Sequence, residues 1–203
     1  FWTKIHPMIE VCFRFGVTMP PQQFPCFRWS SHSKVSSKSM LSAFLSRRPD
    51  SQWVMVGQDC AQSETQLWTA WQCASRRWSR NSSLANSLDA EFLRYLSGTH
   101  HVSEAFKRAG VNDGDSSGFL IWLPLCQLSD QQPSDLEMET YDFDSIFTQA
   151  NEFFVHLGVE PSSQPLALSK KGAQRLGFIF DEDDSLYDEN TLVGHILSAE
   201  LHS

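Results

Sequence analysis

The sequence has no apolar run of eighteen residues, so nothing in it reads as a membrane-spanning helix. It has no C-x-x-C pair. Its five cysteines (Cys12, Cys26, Cys60, Cys73 and Cys126) are dispersed and odd in number, which argues against zinc and against a disulfide framework. A reducing cytoplasm is the expected setting. The chain is short of positive charge, with 16 Lys and Arg against 24 Asp and Glu and a net charge of -8. Phosphate neutralisation drives free-standing nucleic-acid binding, so this balance argues against strong solitary RNA binding. It leaves room for a local basic patch, or for a subunit that holds RNA together with partners. There is no P-loop, dinucleotide glycine fingerprint, G-x-S-x-G or H-E-x-x-H, which lowers the expectation of catalysis. The first residues show no secretory-signal pattern, and Phe1 is not an initiator Met.

What is present is globular. The 203 residues are 41% hydrophobic and include fifteen Phe and seven Trp, enough for one sizeable core. Ile9, Val11, Phe13, Phe15 and Val17 alternate with more polar neighbours and predict a half-buried strand over 9–17. Residues 20–39, rich in Pro, Ser and Gln, read as a long loop tacked down by Phe24, Phe27 and Trp29. Met40 to Leu45 suggests a short helix, and 52–57 a strand. Ser63-Glu64-Thr65-Gln66 is a capping box opening a helix over 63–79, with Leu67, Trp71, Ala74 and Trp78 on one face. Polar residues 127–140 read as a loop. Phe143, Ile146, Phe147, Ala150, Phe153, Phe154 and Leu157 make a broad helical face over 142–157, stopped by Gly158. Ser169 to Leu176 suggests a short helix. Asp181 to Asp184 lacks the central Gly of an EF-hand and reads as a solvated acidic loop.

The stretch that organises the chain is 81–124. Leu84, Leu88, Phe92 and Leu96 form one helical stripe over 84–97, and Gly98 closes it. A shorter helix carries Val102, Ala105, Phe106 and Ala109 on one face, ends at Gly110, and leads through Asn112-Asp113-Gly114 into a strand at 118–124. In Ala85-Asn86-Ser87-Leu88, Glu91, Leu93, Tyr95, Gly98, His100-His101, Val102, Glu104-Ala105 and Gly110, this stretch resembles the smallest accessory subunit of the KEOPS (EKC) tRNA-modification complex. That is the PRPK-binding-protein (TPRKB-like) family, and the likeness is to its archaeal members. Those members usually carry Arg-Gln where this chain has His100-His101. The resemblance spans about 8–201 and is strongest over 81–124.

The resemblance implies a non-catalytic adaptor without cofactor. Such a subunit docks on the kinase-like ATPase of the complex, contacts the tRNA acceptor end, and supports threonylcarbamoyl-adenosine formation. Family members end on an apolar strand, which favours strand over helix for the ambiguous segment 192–201. The dense cations Arg76, Arg77 and Arg80, with Lys107 and Arg108, are candidate RNA contacts, although helix-dipole complementation and solubility explain them equally well. His100 and His101 are candidates through their place in the family motif. Adjacent helical residues point about 100° apart, which disfavours joint metal chelation. Trp68, one position off the apolar face, is the candidate partner contact, whereas Trp71 and Trp78 read as core. Glu91 reads as a capping or salt-bridge residue. Cys60 and Cys73 would be nucleophiles only with a lowered pKa. The competing expectation is a small cytoplasmic hydrolase or transferase using a histidine with a carboxylate. The expected architecture is one mixed α/β domain over 1–203, with strands near 9–17, 52–57, 118–124 and 192–201.

Overall fold

Phe27 and Trp29 alternate with Cys26, Arg28 and Ser30, and that alternation makes the segment strand β1 (Cys26–Ser30) rather than the loop expected over 20–39. The computed structural model describes residues 23–128, 136–180 and 187–201. The strand expected at 9–17 and the acidic loop at Asp181 to Asp184 lie outside them. After β1 the chain forms α1 (Ser37–Arg47), β2 (Trp53–Val56), α2 (Glu64–Ser79), α3 (Leu88–Leu96), α4 (Val102–Ala109) and β3 (Ser117–Trp122). The short pair β4 (Cys126–Leu128) and β5 (Leu136–Met138) follows, within the span read as a loop. The chain continues with α5 (Phe143–Leu157), β6 (Glu160–Pro161), α6 (Lys170–Leu176) and α7 (Glu189–Leu201).

The main sheet is antiparallel, in the order β2-β3-β1-β6. The central strands β2 and β3 read as apolar runs because both faces of the sheet are covered, which removes the usual polar alternation there. On one face Val54, Val56, Phe119 and Ile121 pack with α2, α3, α4, α6 and α7. On the other, Phe27, Trp29, Trp53, Met55 and Leu120 pack with α1 and α5. The result is a single mixed α/β domain with a helical layer on each side of the sheet. Gly118 is needed where β3 passes Trp29, since a Cβ there would lie 2.6 Å from the indole.

Segment 192–201 is helical, not a strand. Leu192, Ile196 and Ala199 fall at helical spacing and are buried, while Val193 and Gly194 between them are not. Asp188 caps the helix by accepting from the Thr191 amide at 2.9 Å. The capping box of α2 forms as expected, with the Gln66 amide donating to Ser63 Oγ at 3.1 Å. The Gln66 side chain reaches past the usual position to accept from the Gln62 amide at 2.8 Å.

Candidate functional site

Helix α3 is the hub of the helical layer. Every residue from Leu88 to Leu96 is buried, because α2 packs on one side, α4 on the other and α7 across it. Burial brings charges inside. Glu91 and Arg94 are both fully buried and pair at 2.8 Å. Glu91 also accepts from the Leu84 and Ala85 amides at 3.2 and 2.9 Å, which fixes the entry turn to α3. Arg94 donates to the Thr99 and Ala199 carbonyls and lies over the Tyr95 ring. The salt-bridge reading of Glu91 therefore holds, and the pair lies in the core. Leu84, read as part of the helical stripe, precedes the helix and is 48% exposed.

The expected cations sit on two different helices. Arg76, Arg77 and Arg80 end α2, while Lys107 and Arg108 end α4, and α3 lies between the two helices. Arg77 pairs with Glu200 of α7 at 2.6 Å. Arg108 pairs with Glu104 at 3.0 Å and donates to the Ser97 carbonyl. Lys107 exposes 77% of its side chain. The His100 and His101 rings lie against each other just before α4, tilted by 44° with centroids 3.9 Å apart. Among the described residues no cluster of three or more His, Cys, Asp or Glu is placed to hold a metal ion. No described helix is long and apolar enough to cross a membrane.

The two exposed-tryptophan expectations are reversed. Trp68, expected at the surface, is 5% exposed and packs edge-on against Phe24 and Trp71. Trp78, expected in the core, is 36% exposed. Helix α2 is buried nearly all round over its first three turns, so the apolar stripe does not mark its outer face there. Its last turn runs past the core edge. There Ser75, Trp78 and Ser79 join Asn81, Leu88, Leu125, Cys126, Gln127 and Glu139 in lining an open groove of ≈ 380 Å³. A second groove of ≈ 330 Å³ lies near Arg28, Phe119 and residues 164–169.

The cysteines are poor nucleophiles. Burial pushes the Cys60 and Cys73 thiols up to about 12, and it raises Cys26 and Cys126 as well. The thiolate is the reactive form. Cys26, Cys60, Cys73 and Cys126 are therefore expected to react slowly with an aromatic disulfide reagent at pH 8 in the folded protein, and fast in denaturant. Rapid stoichiometric labelling of native Cys60 would contradict this environment. His195, the half-buried histidine of α7, hydrogen-bonds the Leu176 carbonyl at 3.1 Å and stacks on Phe178 at 4.1 Å. Its partners are backbone and aromatic, not the carboxylate a hydrolase would need.

Helix α7 is held by groups that titrate. Burial, helped by the nearby Arg108 guanidinium, keeps His195 below its ordinary value of 6.5 despite its backbone hydrogen bonds. Burial raises Glu200, but the Arg77 guanidinium and the Tyr95 hydroxyl outweigh it and hold the carboxyl below 4.5. Both groups prefer their higher-pH form in the fold. Their stabilisation is complete above the unfolded values and drains as pH falls through the folded ones. Amide exchange within α7 is expected to accelerate relative to the sheet as pH drops below 6.5, after correction for intrinsic rates, with a second rise below 4.5. A His195→Gln variant should lose the first step and keep the second.

Known proteins place this architecture. The model of the family described as kinase binding protein CGI-121 matches residues 33–138, from the approach to α1 through β5, and so includes the α2–α3–α4 layer, β3 and the groove walls up to Met138. No curated protein matches the chain. The matched span is more than half of the 203 residues, and the chain belongs to the CGI-121 family of kinase-binding proteins.

Proposed function

We propose that this protein is a non-catalytic subunit of a KEOPS-type complex. In this reading it docks on the kinase-like ATPase of the complex and helps hold tRNA for threonylcarbamoyl-adenosine formation. One observation carries the reading: the kinase-binding family match over 33–138 encloses the 81–124 stretch that resembles the archaeal form of that subunit. Several features support an adaptor. The charged residues at the centre of α3 are committed to the fold, and the thiols are raised rather than activated. What the layer offers a partner is surface, with an apolar groove on one flank and cations on α2 and α4.

The RNA part of the reading assigns phosphate contact to Arg76, Arg80 and Lys107, with His100 and His101 near the acceptor end. Arg77 and Arg108, which also pair with Glu200 and Glu104, belong to the same candidate set. A few cations supply a weak, salt-dependent attraction, in keeping with a net charge of -8 and with RNA held jointly with a partner. The test is a calorimetric titration against the kinase-like subunit of the same genome, with and without tRNA, at two salt concentrations. Kinase binding that tightens with tRNA, with a salt slope reduced in Arg80→Glu/Lys107→Glu, is the expected result. Kinase binding without a tRNA effect would remove the RNA role, and absence of kinase binding would remove the whole reading.

A further inference from the structure

Glu200 of α7 places its carboxylate where donors from two other helices converge. It accepts from the Arg77 guanidinium of α2 at 2.6 Å and from the Tyr95 hydroxyl of α3. Tyr95 is fully buried, so its hydroxyl meets nothing from solvent while α7 stays in place. The Arg94 guanidinium lies over the Tyr95 ring, 4.2 Å from its centroid, and donates to the carbonyl of Ala199, the residue before Glu200. Cys73, one turn before Arg77, feels the charges of Glu200, Arg76, Arg94 and Arg77 together. These arginines face Glu200 from α7 and Glu91 from α3, and Glu91 is already paired with Arg94. Arg80 adds to the positive surplus, since positions three apart on a helix are neighbours and Arg80 follows Arg77 by three.

Helix α7 is lightly held at this end. Leu192 and Ile196 bury its earlier turns, and His195 stacks on Phe178. Beyond Ile196, Ala199 is the one buried apolar side chain among the described residues, and the other anchors are the polar ones to Arg77, Tyr95 and Arg94. Peeling back the last turn therefore gives up little apolar burial, and terminal turns of this kind open at small free-energy cost. Receptor and plug also differ in position. Arg77, Arg80, Arg94 and Tyr95 lie within 33–138, the span that matches the family, whereas Glu200 lies outside it.

We propose that Arg77 and Tyr95, with Arg80 beside them, form a phosphate-binding site for the tRNA backbone, and that Glu200 is a built-in competitor that closes the site until the end of α7 peels back. This site presupposes the RNA part of the adaptor reading and adds a regulated contact to it. A carboxylate and a phosphodiester each present two oxygens and one negative charge, so the donors that hold Glu200 suit an RNA phosphate. A chain of phosphates is a better match than an acidic side chain of a protein, because α2 brings three arginines between 76 and 80 where Glu200 pairs with one. The closed state divides the intrinsic RNA affinity by the small fraction of molecules in which the site is open. By linkage, bound tRNA lifts the end of α7.

The test is the affinity for tRNA, in complex with the kinase-like subunit and across a salt series, of the unaltered chain, Glu200→Gln, Arg77→Gln/Glu200→Gln and Glu152→Gln. Kinase affinity is measured alongside. Glu152 is exposed on α5, across the sheet, and controls for the change in net charge. Glu200→Gln is expected to bind tRNA at least about fivefold tighter at low salt. Its salt slope should steepen by about 0.7 to 0.9, the value of one added phosphate contact. The double variant should lose that gain, and Glu152→Gln should stay within about twofold of the unaltered chain. Amide exchange gives a second readout, in which saturating tRNA speeds exchange at the end of α7 in the unaltered chain and leaves the sheet unchanged. Thermal unfolding accompanies each variant, and if the double variant fails to fold, the exchange measurement decides. Tight tRNA binding by the unaltered complex with no gain in Glu200→Gln, or an equal gain in Glu152→Gln, overturns the latch and leaves the RNA role standing. So does exchange in α7 that stays slow under saturating tRNA. A gain in affinity for the kinase-like subunit in place of tRNA also overturns it, giving the site to an acidic segment of that partner. No tRNA binding by any variant removes both the latch and the RNA role.

Discussion

Replacing Arg94 with Met is expected to destabilise the protein by about 3–5 kcal/mol, the usual consequence of leaving one partner of a buried ion pair behind. Arg94 is fully buried and lies 2.8 Å from Glu91, which is fully buried too. With the guanidinium gone, the Glu91 carboxylate keeps the Leu84 and Ala85 amides but loses its counter-charge in a site without water access. The Ala199 carbonyl loses a donor as well, so the damage spreads from α3 to α7. For a domain of this size the fall in Tm is on the order of 10 °C. Urea unfolding measures the loss directly, and a change below about 1 kcal/mol would show that the pair adds nothing the core does not already supply. Glu91→Gln combined with Arg94→Met should recover part of the deficit, because the stranded charge is then removed while the amide contacts can persist.

Gly98→Ala is expected to release α7. Gly98 has φ +57, a left-handed conformation that costs a non-glycine residue roughly 1–2 kcal/mol. Space is a second obstacle, since a Cβ on Gly98 would run into the imidazole of His195. That ring is clamped between Phe178 and the Leu176 carbonyl, so it has no easy retreat. The cheaper escape is for α7 to lift away, giving up the burial of Leu192, Ile196 and Ala199. Amide-exchange protection confined to 189–201 should fall steeply in Gly98→Ala while the β1–β3 ladder stays protected. Exchange that rises uniformly across the chain would instead mean that α7 does not open as a unit. Combining Gly98→Ala with His195→Ala separates the two costs, because the smaller residue clears the clash and leaves the backbone strain.

Helices α2, α3 and α5 were legible in the sequence because each has an apolar stripe and a terminal signal that agree, such as Ser63 ahead of α2 and Gly158 after α5. Strand β3 was legible as a short apolar run set off by Gly118. Strand β1 was hidden by its flanks, since Pro25 and the serines after Trp29 outweigh a five-residue alternation. Helix α7 was misread because its local sequence was ambiguous and the family resemblance favoured a strand, whereas the packing of Leu192, Ile196 and Ala199 at helical spacing decides for a helix. The candidate site was harder still. A stripe tells which side of a helix is apolar, not how far the core extends along it, so Trp68 and Trp78 exchanged places. The burial of the Glu91–Arg94 pair was not legible, because nothing local to α3 announces that α2, α4 and α7 enclose it. The grooves arise from loops and short strands far apart in the chain, which no periodicity reveals.

The order β2-β3-β1-β6 has a consequence for synthesis. Cys26 of β1 pairs with Ile121, and Ser30 pairs with Glu160, so the first described strand leaves the ribosome long before either neighbour exists. Closing such loops delays the sheet, and folding dominated by distant pairings is slow. Helices α2, α3 and α4 are consecutive and touch one another, so they can assemble as soon as they are made. The nascent chain therefore carries an exposed β1, with Phe27 and Trp29 uncovered, beside a half-built helical layer until α5 emerges to cover that side. During that interval the chain has the profile of a chaperone client, and a translation pause after residue 124 would lengthen its exposure to aggregation.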